Sequence, residues 1–412
     1  MNVFSALKEI FKQNISCSSE NIHLEESLGR TLSKPLRINK NIPEFDTSSM
    51  DGYAVKKLSL GKTVRFKILG ETAAGANSDF VINPNECVRV YTGSRIPKNA
   101  DFVVIQENTR VEGNFMHVNG YDKNSPYVRK LGLDFKKGQT ISHPILIDYK
   151  LISALASLNF EKVSVIKKPR VCIIPTGNEI LALGSKAKKN SIYSSSPYGI
   201  KSLLENEGAE VTIAPICRDN LDDIICALQS TKQSQIIITL GGVSKGNYDL
   251  IRKHYIKLGI KILVDGIPIR PGKPIIIGKL GKKIIFCLPG NPISSLVCSR
   301  LFVVALIRKI LRGRFEKLAT RHAILSEDIK LSNSKREHYM RAFTFQEGTR
   351  HYVKPFSQQD SSLHSVLIKS NCLLIIPSCS SPKTRGEIVE IIDFYIDKEE
   401  KNIYRTYKRP LC

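Results

Sequence analysis

Between residues 170 and 312 short apolar runs rich in β-branched residues alternate with segments whose apolar positions recur every three to four residues. Runs at 171–174, 211–214, 236–240, 262–264, 274–278 and 284–288 have strand length, whereas 197–207, 221–228, 249–258 and a long segment from 292 have helical spacing. Such alternation predicts a parallel α/β sheet. On either side the pattern changes to short alternating strands, at 64–69, 86–91, 102–106 and 115–118, and again from 313 to 396, separated by Gly, Pro and Asn. Two small β domains therefore flank the sheet. Helical spacing also occurs at 3–11 and 151–158, and the charged tail after 397 reads as frayed.

The chemistry-bearing residues follow the strands. After the run 236–240 comes Gly241-Gly242-Val243-Ser244-Lys245-Gly246-Asn247-Tyr248-Asp249. Its glycines permit close backbone approach, and Ser244, Lys245 and Asp249 add a hydroxyl, a cation and a carboxylate, a set suited to a phosphate and its metal ion. Asp249 stands at the expected helix N-cap. Three further polar segments, Thr176-Gly177-Asn178-Glu179, Arg218-Asp219 and Pro289-Gly290-Asn291-Pro292, end other strands of the set. Ligands of open α/β sheets bind at that edge. Two proline-glycine corners frame it: Arg270-Pro271-Gly272-Lys273-Pro274 enters a strand and Pro289 to Ser295 leaves one for a helix. With Pro292 near the first helical position, the amides around Asn291 and Ser294 are expected to be free, forming a seat for an oxyanion. Asp51-Gly52, by itself, is turn chemistry.

Composition narrows the choice of partner. A chain of 412 residues exceeds one core, and 42% hydrophobic residues is ordinary for a globular protein. The net charge of +24 points formally to polyanions, yet its Lys and Arg are scattered, without a basic helix interleaved with aromatics. Nucleic acid is therefore not the expected partner; a small anion is. The ten cysteines stand singly, with no Cys-x-x-Cys and no metal-spaced His, and Cys172, Cys217, Cys287 and Cys298 lie in apolar runs. They read as reduced core residues of a cytoplasmic protein, and no run is long enough to span a bilayer.

Together these motifs resemble the molybdopterin molybdotransferases, the bacterial MoeA family to which the gephyrin E domain also belongs. The resemblance is carried by Ser49-Met50-Asp51-Gly52-Tyr53-Ala54, Thr92-Gly93 with Pro97 and Ala100-Asp101, Pro175 to Glu179, Gly241 to Ser244 with Asp249, Pro271 to Pro274, and Leu288 to Pro292. It implies an elongated, multidomain α/β fold in four parts. A discontinuous N-terminal α+β domain comprises 1–45 and 138–168, an inserted β domain 46–137, a MogA-like α/β domain 169–314, and a C-terminal β domain 315–412. The implied reaction inserts molybdate into the dithiolene of adenylylated molybdopterin, with release of AMP assisted by Mg²⁺. Implied partners are a second copy of the chain, in a homodimer whose cleft both subunits line, and the molybdopterin adenylyltransferase.

Positions matching the family's functional acids are Asp51, Asp134, Glu179, Asp219 and Asp249, with Thr92 beside them. Asp219 and Asp249 are the metal candidates, since Mg²⁺ takes one or two carboxylates plus phosphates and waters. Gly241, Gly242, Ser244, Arg270, Pro271, Lys273, Pro289, Asn291, Pro292 and Ser294 are expected to hold the phosphates and molybdate, with Arg336 and Ser361 or Ser362 closing the cleft from the last domain. The chain departs from the family pattern at Leu133, where many members carry Glu, and at Ser194-Ser195-Ser196, where an acidic or amide pair is usual. Two other readings are an adenylyltransferase, which shares the glycine loop but lacks the flanking β domains, and a binding scaffold, against which the retained carboxylates argue.

Overall fold

A computed structural model describes residues 1–394 apart from 63, 77–78, 188, 219, 242–255, 314–318 and 331–333. The chain forms two compact units, one of Met1–Glu20, Gly29–Thr31 and Val165–Cys412, the other of Asn21–Leu28 and Leu32–Ser164.

In the first unit a six-stranded sheet runs in the order Glu210–Ile213, Arg170–Pro175, Ile236–Leu240, Lys283–Leu288, Ile276–Leu280, Lys261–Asp265. Its first four strands are mutually parallel, as the βα alternation predicts. The strand Ile276–Leu280 runs the other way, because only Gly281 and Lys282 separate it from the next strand and a two-residue turn can join only antiparallel neighbours. Successive residues feed two buried layers. Val171, Ile173, Ile236 and Ile238 face one core; Cys172, Ile174 and Ile237 face another. The first core receives Ile200 and Leu204 of helix Ser196–Asn206 and Ala6, Leu7 and Ile10 of helix Val3–Phe11; the second receives Ile224 and Leu228 of helix Leu221–Ser230. The long helix expected from 292 is present as Pro292–Cys298, a π-helical turn Ser299–Val303, and Val304–Arg312.

That helix buries two cations the hydrophobic pattern did not place. Glu207 receives Arg308 through both carboxylate oxygens at 2.7 Å and Arg300 at 2.8 Å. A second Arg300 nitrogen donates to the Asp393 carbonyl. Asp393 in turn receives Arg321 at 2.6 and 2.9 Å. Desolvating three charges is costly unless each is paired, and here each has a partner of opposite sign.

The C-terminal strands close on themselves. Glu337–Glu347 pairs with Arg350–Pro355 on one side and Cys372–Ile376 on the other, and Arg321–Leu325 and Ile388–Asp393 complete the ring. Closure gives each of these five strands a neighbour on both sides and encloses Leu325, Ala342, Val353, Leu374 and Ile391. A sixth short strand, Ile269–Arg270, which follows Lys261–Asp265 of the α/β sheet in the chain, pairs in parallel with Glu337 and His338. The cationic corner at Arg270 is thereby attached to the barrel.

In the second unit six strands run in the order Phe102–Ile105, Gly52–Val55, Glu86–Val90, Arg65–Thr72, Phe115–Val118, Thr109–Glu112, over a core of Phe66, Phe102 and Met116. Thr47–Ser48 pairs antiparallel with Val128–Arg129, so the Asp51 turn follows one end of this pair and Asp134 lies beyond the other, beside Ile42. All four cysteines expected in the core are buried, and every described cysteine is a free thiol. Among the described residues no helix is long and apolar enough to cross a membrane.

Candidate active site

Four strand ends meet at the carboxyl edge of the α/β sheet. Thr176 donates its amide and its hydroxyl to the Leu240 carbonyl at 2.9 and 2.8 Å. Gly177 donates to Cys217, and Gly241 to Leu288. At Gly241 (φ +107°) a Cβ would lie 2.7 Å from the Thr176 carbonyl, so the first residue of the glycine loop must be glycine on both conformational and steric grounds. Glu179 is exposed at this edge, two residues beyond Gly177. Gly242, Ser244, Asp219 and Asp249, with the expected helix 249–258 as far as residue 255, lie outside the described residues.

Beside this edge is a cleft of about 230 Å³ lined by residues from four segments: the corner Ile269 to Pro274, Ser294, Arg336, and the loop Gln359 to Ser361. Six expected ligand residues converge there: Arg270, Pro271, Lys273, Ser294, Arg336 and Ser361. Arg270, Lys273 and Arg336 are exposed, and none is ion-paired among the described residues. Asp360 is the one carboxylate in the lining, and its Oδ1 is occupied by the Ser362 hydroxyl at 2.6 Å and amide at 2.9 Å, which hold its pKa below the ordinary value. The cleft thus offers three cations and two hydroxyls to an oxyanion, with forked as well as point-like charge.

The Pro289 to Ser294 corner joins the sheet edge to this cleft in a way that differs from the expectation. Asn291 is the N-cap of helix Pro292–Cys298, yet its side chain donates to Ser361 Oγ at 2.9 Å instead of capping the helix. The Ile293 amide donates to the Ser361 carbonyl at 3.1 Å. The helix start is therefore not a set of free amides: Pro292 has no N–H and Ile293 is engaged. Pro289 is buried at the strand end and Ser294 is buried facing the cleft.

Two residues outside the expected ligand set hold the loop. Arg341, 2% exposed on a barrel strand, donates to the Asp360 carbonyl at 2.8 Å and to Gln359 Oε1 at 3.2 Å. Gln359 returns its amide to the carbonyls of Arg341 and Phe356. An arginine inside an alternating strand looks like a solvent-facing residue in sequence, and nothing in its spacing marks it. The serine triplet lies near the same loop: Ser194 and Ser196 are buried, and Ser195 Oγ is 3.2 Å from His364 Nε2.

In the second unit Asp51 Oδ1 accepts the Thr92 amide at 2.7 Å and the Thr92 hydroxyl at 2.9 Å. The amide, then the hydroxyl, hold its carboxyl below the usual range. Asp51 and Thr92, expected together, are brought together. Asp134 is exposed in a separate loop, its backbone amide given to the Ile42 carbonyl. Leu133, the departure before it, is 66% exposed and carries no packing role in this unit. No group of three or more metal-ligating side chains occurs among the described residues.

Comparison with known proteins covers the chain almost end to end. Residues 1–158 match the MoeA N-terminal region (domain I and II), 172–309 the probable molybdopterin binding domain, and 322–394 the MoeA C-terminal region (domain IV). A molybdopterin molybdenumtransferase of Nostoc sp. is 30% identical over 92% of this chain and 89% of its own length. One of Haemophilus influenzae is 30% identical over 91% and 94% respectively. Two structures of a molybdopterin biosynthesis moeA protein from Pyrococcus horikoshii, each 26% identical, superpose with TM-scores of 0.84 and 0.77, covering 96% and 95% of this chain and 99% of theirs.

Proposed function

The chain belongs to the molybdopterin molybdenumtransferase family, and from that premise we propose that it inserts molybdate into the dithiolene of adenylylated molybdopterin with release of AMP. It is a transferase of molybdenum cofactor biosynthesis. The observation that supports the finer reading is the cleft in which Arg270, Lys273 and Arg336 converge, with no ion pair to any of them among the described residues. A tetrahedral dianion must be held close to an already anionic pterin phosphate, and that repulsion is offset only by fixed positive groups. Arg270 and Arg336 supply planar forks, Lys273 a mobile point charge, and Ser294 and Ser361 hydroxyl donors.

Glu179 and Gly241, at the adjoining sheet edge, stand where the phosphates would lie, and Asp51 with Thr92 supplies an ionised carboxylate. Asp219 and Asp249 would ligate Mg²⁺, whose charge would be set against the phosphates; hard carboxylate oxygens are the donors this ion requires. A homodimer, a cytoplasmic location and an encounter with the adenylyltransferase complete the proposal, and light scattering at micromolar concentration tests the first. For the reaction, the purified protein is mixed with adenylylated molybdopterin, Mg²⁺ and molybdate while AMP is measured. Failure to release AMP in a molybdate-dependent manner would refute the assignment.

A further inference from the structure

Beneath the cationic cleft lies a titratable group to which the proposed chemistry gives no part. His338 is 5% exposed on the barrel strand Glu337–Glu347, in register with Arg270 across the short parallel pair. Its Nε2 lies 2.8 Å from Ser334 Oγ, and the same oxygen accepts the backbone amide of Arg336 at 3.2 Å. Arg336 thus sits at the apex of a turn that Ser334 and His338 close, with one cleft cation on the turn and another opposite the imidazole. The groups facing His338 are Arg270 from the paired strand, Arg336 from its own lead-in, and uncharged Ile376 from the barrel strand on the other side.

We propose that His338 couples oxyanion binding in this cleft to uptake of one proton, and so acts as a positioning residue for Arg336. The proposal rests on reading the cleft as an oxyanion seat. With the cleft empty, burial first and then the charges of Arg270 and Arg336 hold the imidazole below its ordinary pKa, so it is neutral and accepts the Ser334 hydroxyl proton. A dianion between the two guanidinium groups cancels the field that kept the proton off. Protonated Nε2 then donates to Ser334 Oγ, which has a second lone pair for the Arg336 amide. The turn keeps both hydrogen bonds, and one becomes charge-assisted, which fixes the apex more firmly.

Sulfate, which stays a dianion across the relevant range, is the probe. Calorimetric titration of the full chain with sulfate, at about pH 6 to 7 in buffers of unequal ionisation heat, reads the protons taken up directly. The expected result is uptake of a substantial fraction of one proton, with sulfate affinity rising by up to about tenfold per unit fall in pH. His338→Gln, which retains a polar partner for Ser334, should bind sulfate with no uptake and a flat pH profile. Binding by the unaltered protein with no proton uptake, or uptake that persists in His338→Gln, would overturn the coupling while leaving the oxyanion seat in place. Absence of sulfate binding at millimolar concentration would overturn the seat, and the coupling with it.

Discussion

Asn291 donates to the hydroxyl of Ser361 at 2.9 Å, and the Ser361 carbonyl accepts the amide of Ile293 two residues further on. A loop of the barrel is thus bound at both its side chain and its backbone to the corner that leaves the α/β sheet. The cleft is assembled from segments distant in sequence, and its geometry depends on the groups that hold them.

Within that cleft Lys273 is exposed and free of ion pairs among the described residues. Lys273→Ala should leave the unfolding midpoint nearly unchanged and raise the molybdate concentration for half-maximal rate by about tenfold or more, with little change in binding of adenylylated molybdopterin. Tenfold corresponds to about 1.4 kcal/mol, within the range of one charge-assisted hydrogen bond. Steady-state kinetics with each substrate varied in turn separates the two effects. Weakened pterin binding at an unchanged molybdate requirement would move this lysine to the phosphate.

Gln359 acts on the same cleft from behind. It satisfies both backbone groups of buried Arg341 and one of that residue's side-chain nitrogens. Gln359→Leu leaves the Arg341 amide and one guanidinium nitrogen without these acceptors, while the Arg341 carbonyl keeps the Phe356 amide, so a loss of about 2 kcal/mol is expected in chemical denaturation, accompanied by a higher molybdate requirement. A stability loss alone, with kinetics unaltered, would show that the loop holds Ser361 without help from this clamp.

Glu207 is the counter-charge for two buried arginines. Replacing it by Gln leaves Arg300 and Arg308 desolvated beside each other, and the expected cost is about 3 kcal/mol or more. Adding Arg308→Met to that variant should return part of the loss, since one uncompensated charge is then removed. Equal stability of the single and double variants would argue that water reaches the arginines.

Thr92 sets the charge state of Asp51 through its amide and its hydroxyl. Because the folded carboxyl pKa is depressed, the associated stability is present above the unfolded value of about 4 and disappears as pH falls through the lower folded value. Thr92→Val keeps the amide donor and loses the hydroxyl, so the Asp51 titration should move part of the way back up towards pH 4. Carboxyl-carbon NMR of Asp51 reads this directly, and an unmoved titration would assign the whole depression to the backbone.

How far these features could be read in sequence depended on distance along the chain. The parallel strands announce themselves because burial on both faces demands continuous β-branched runs, as in Ile236–Leu240. The reversal at Ile276–Leu280 depends on a turn of two residues, Gly281 and Lys282, which resembles any short loop until the register is known. Barrel closure pairs Arg321–Leu325 with Ile388–Asp393, and no local pattern encodes a contact as distant as that of Arg321 with Ile391. Cleft residues on proline-glycine corners were legible because the corner chemistry is itself a signal, whereas Arg341, Arg300 and His338 are polar residues whose burial only the tertiary fold decides.

The corner itself provides the sharpest test of how packing positions the chemistry. Gly272 separates Pro271 from Lys273, has φ of +110°, and a Cβ placed on it would fall 2.4 Å from Cys298 Sγ and 3.1 Å from Ile269 Cδ1. Cys298 is completely buried, so its sulfur has no space into which to withdraw. Gly272→Ala should therefore combine about 1–2 kcal/mol of backbone strain with about 1–3 kcal/mol of overpacking, and should disturb Lys273 enough to raise the molybdate requirement. Removing the sulfur separates these causes. In Gly272→Ala with Cys298→Ala the steric part is relieved while the left-handed backbone remains strained, so the double variant should be more stable than the sum of the single losses implies, by at least about 0.5 kcal/mol. Denaturant unfolding of the four proteins closes the cycle. Strict additivity would mean that the alanine methyl never meets the sulfur and that the corner relaxes by moving its backbone, in which case the oxyanion seat should be displaced equally in the single and double variants.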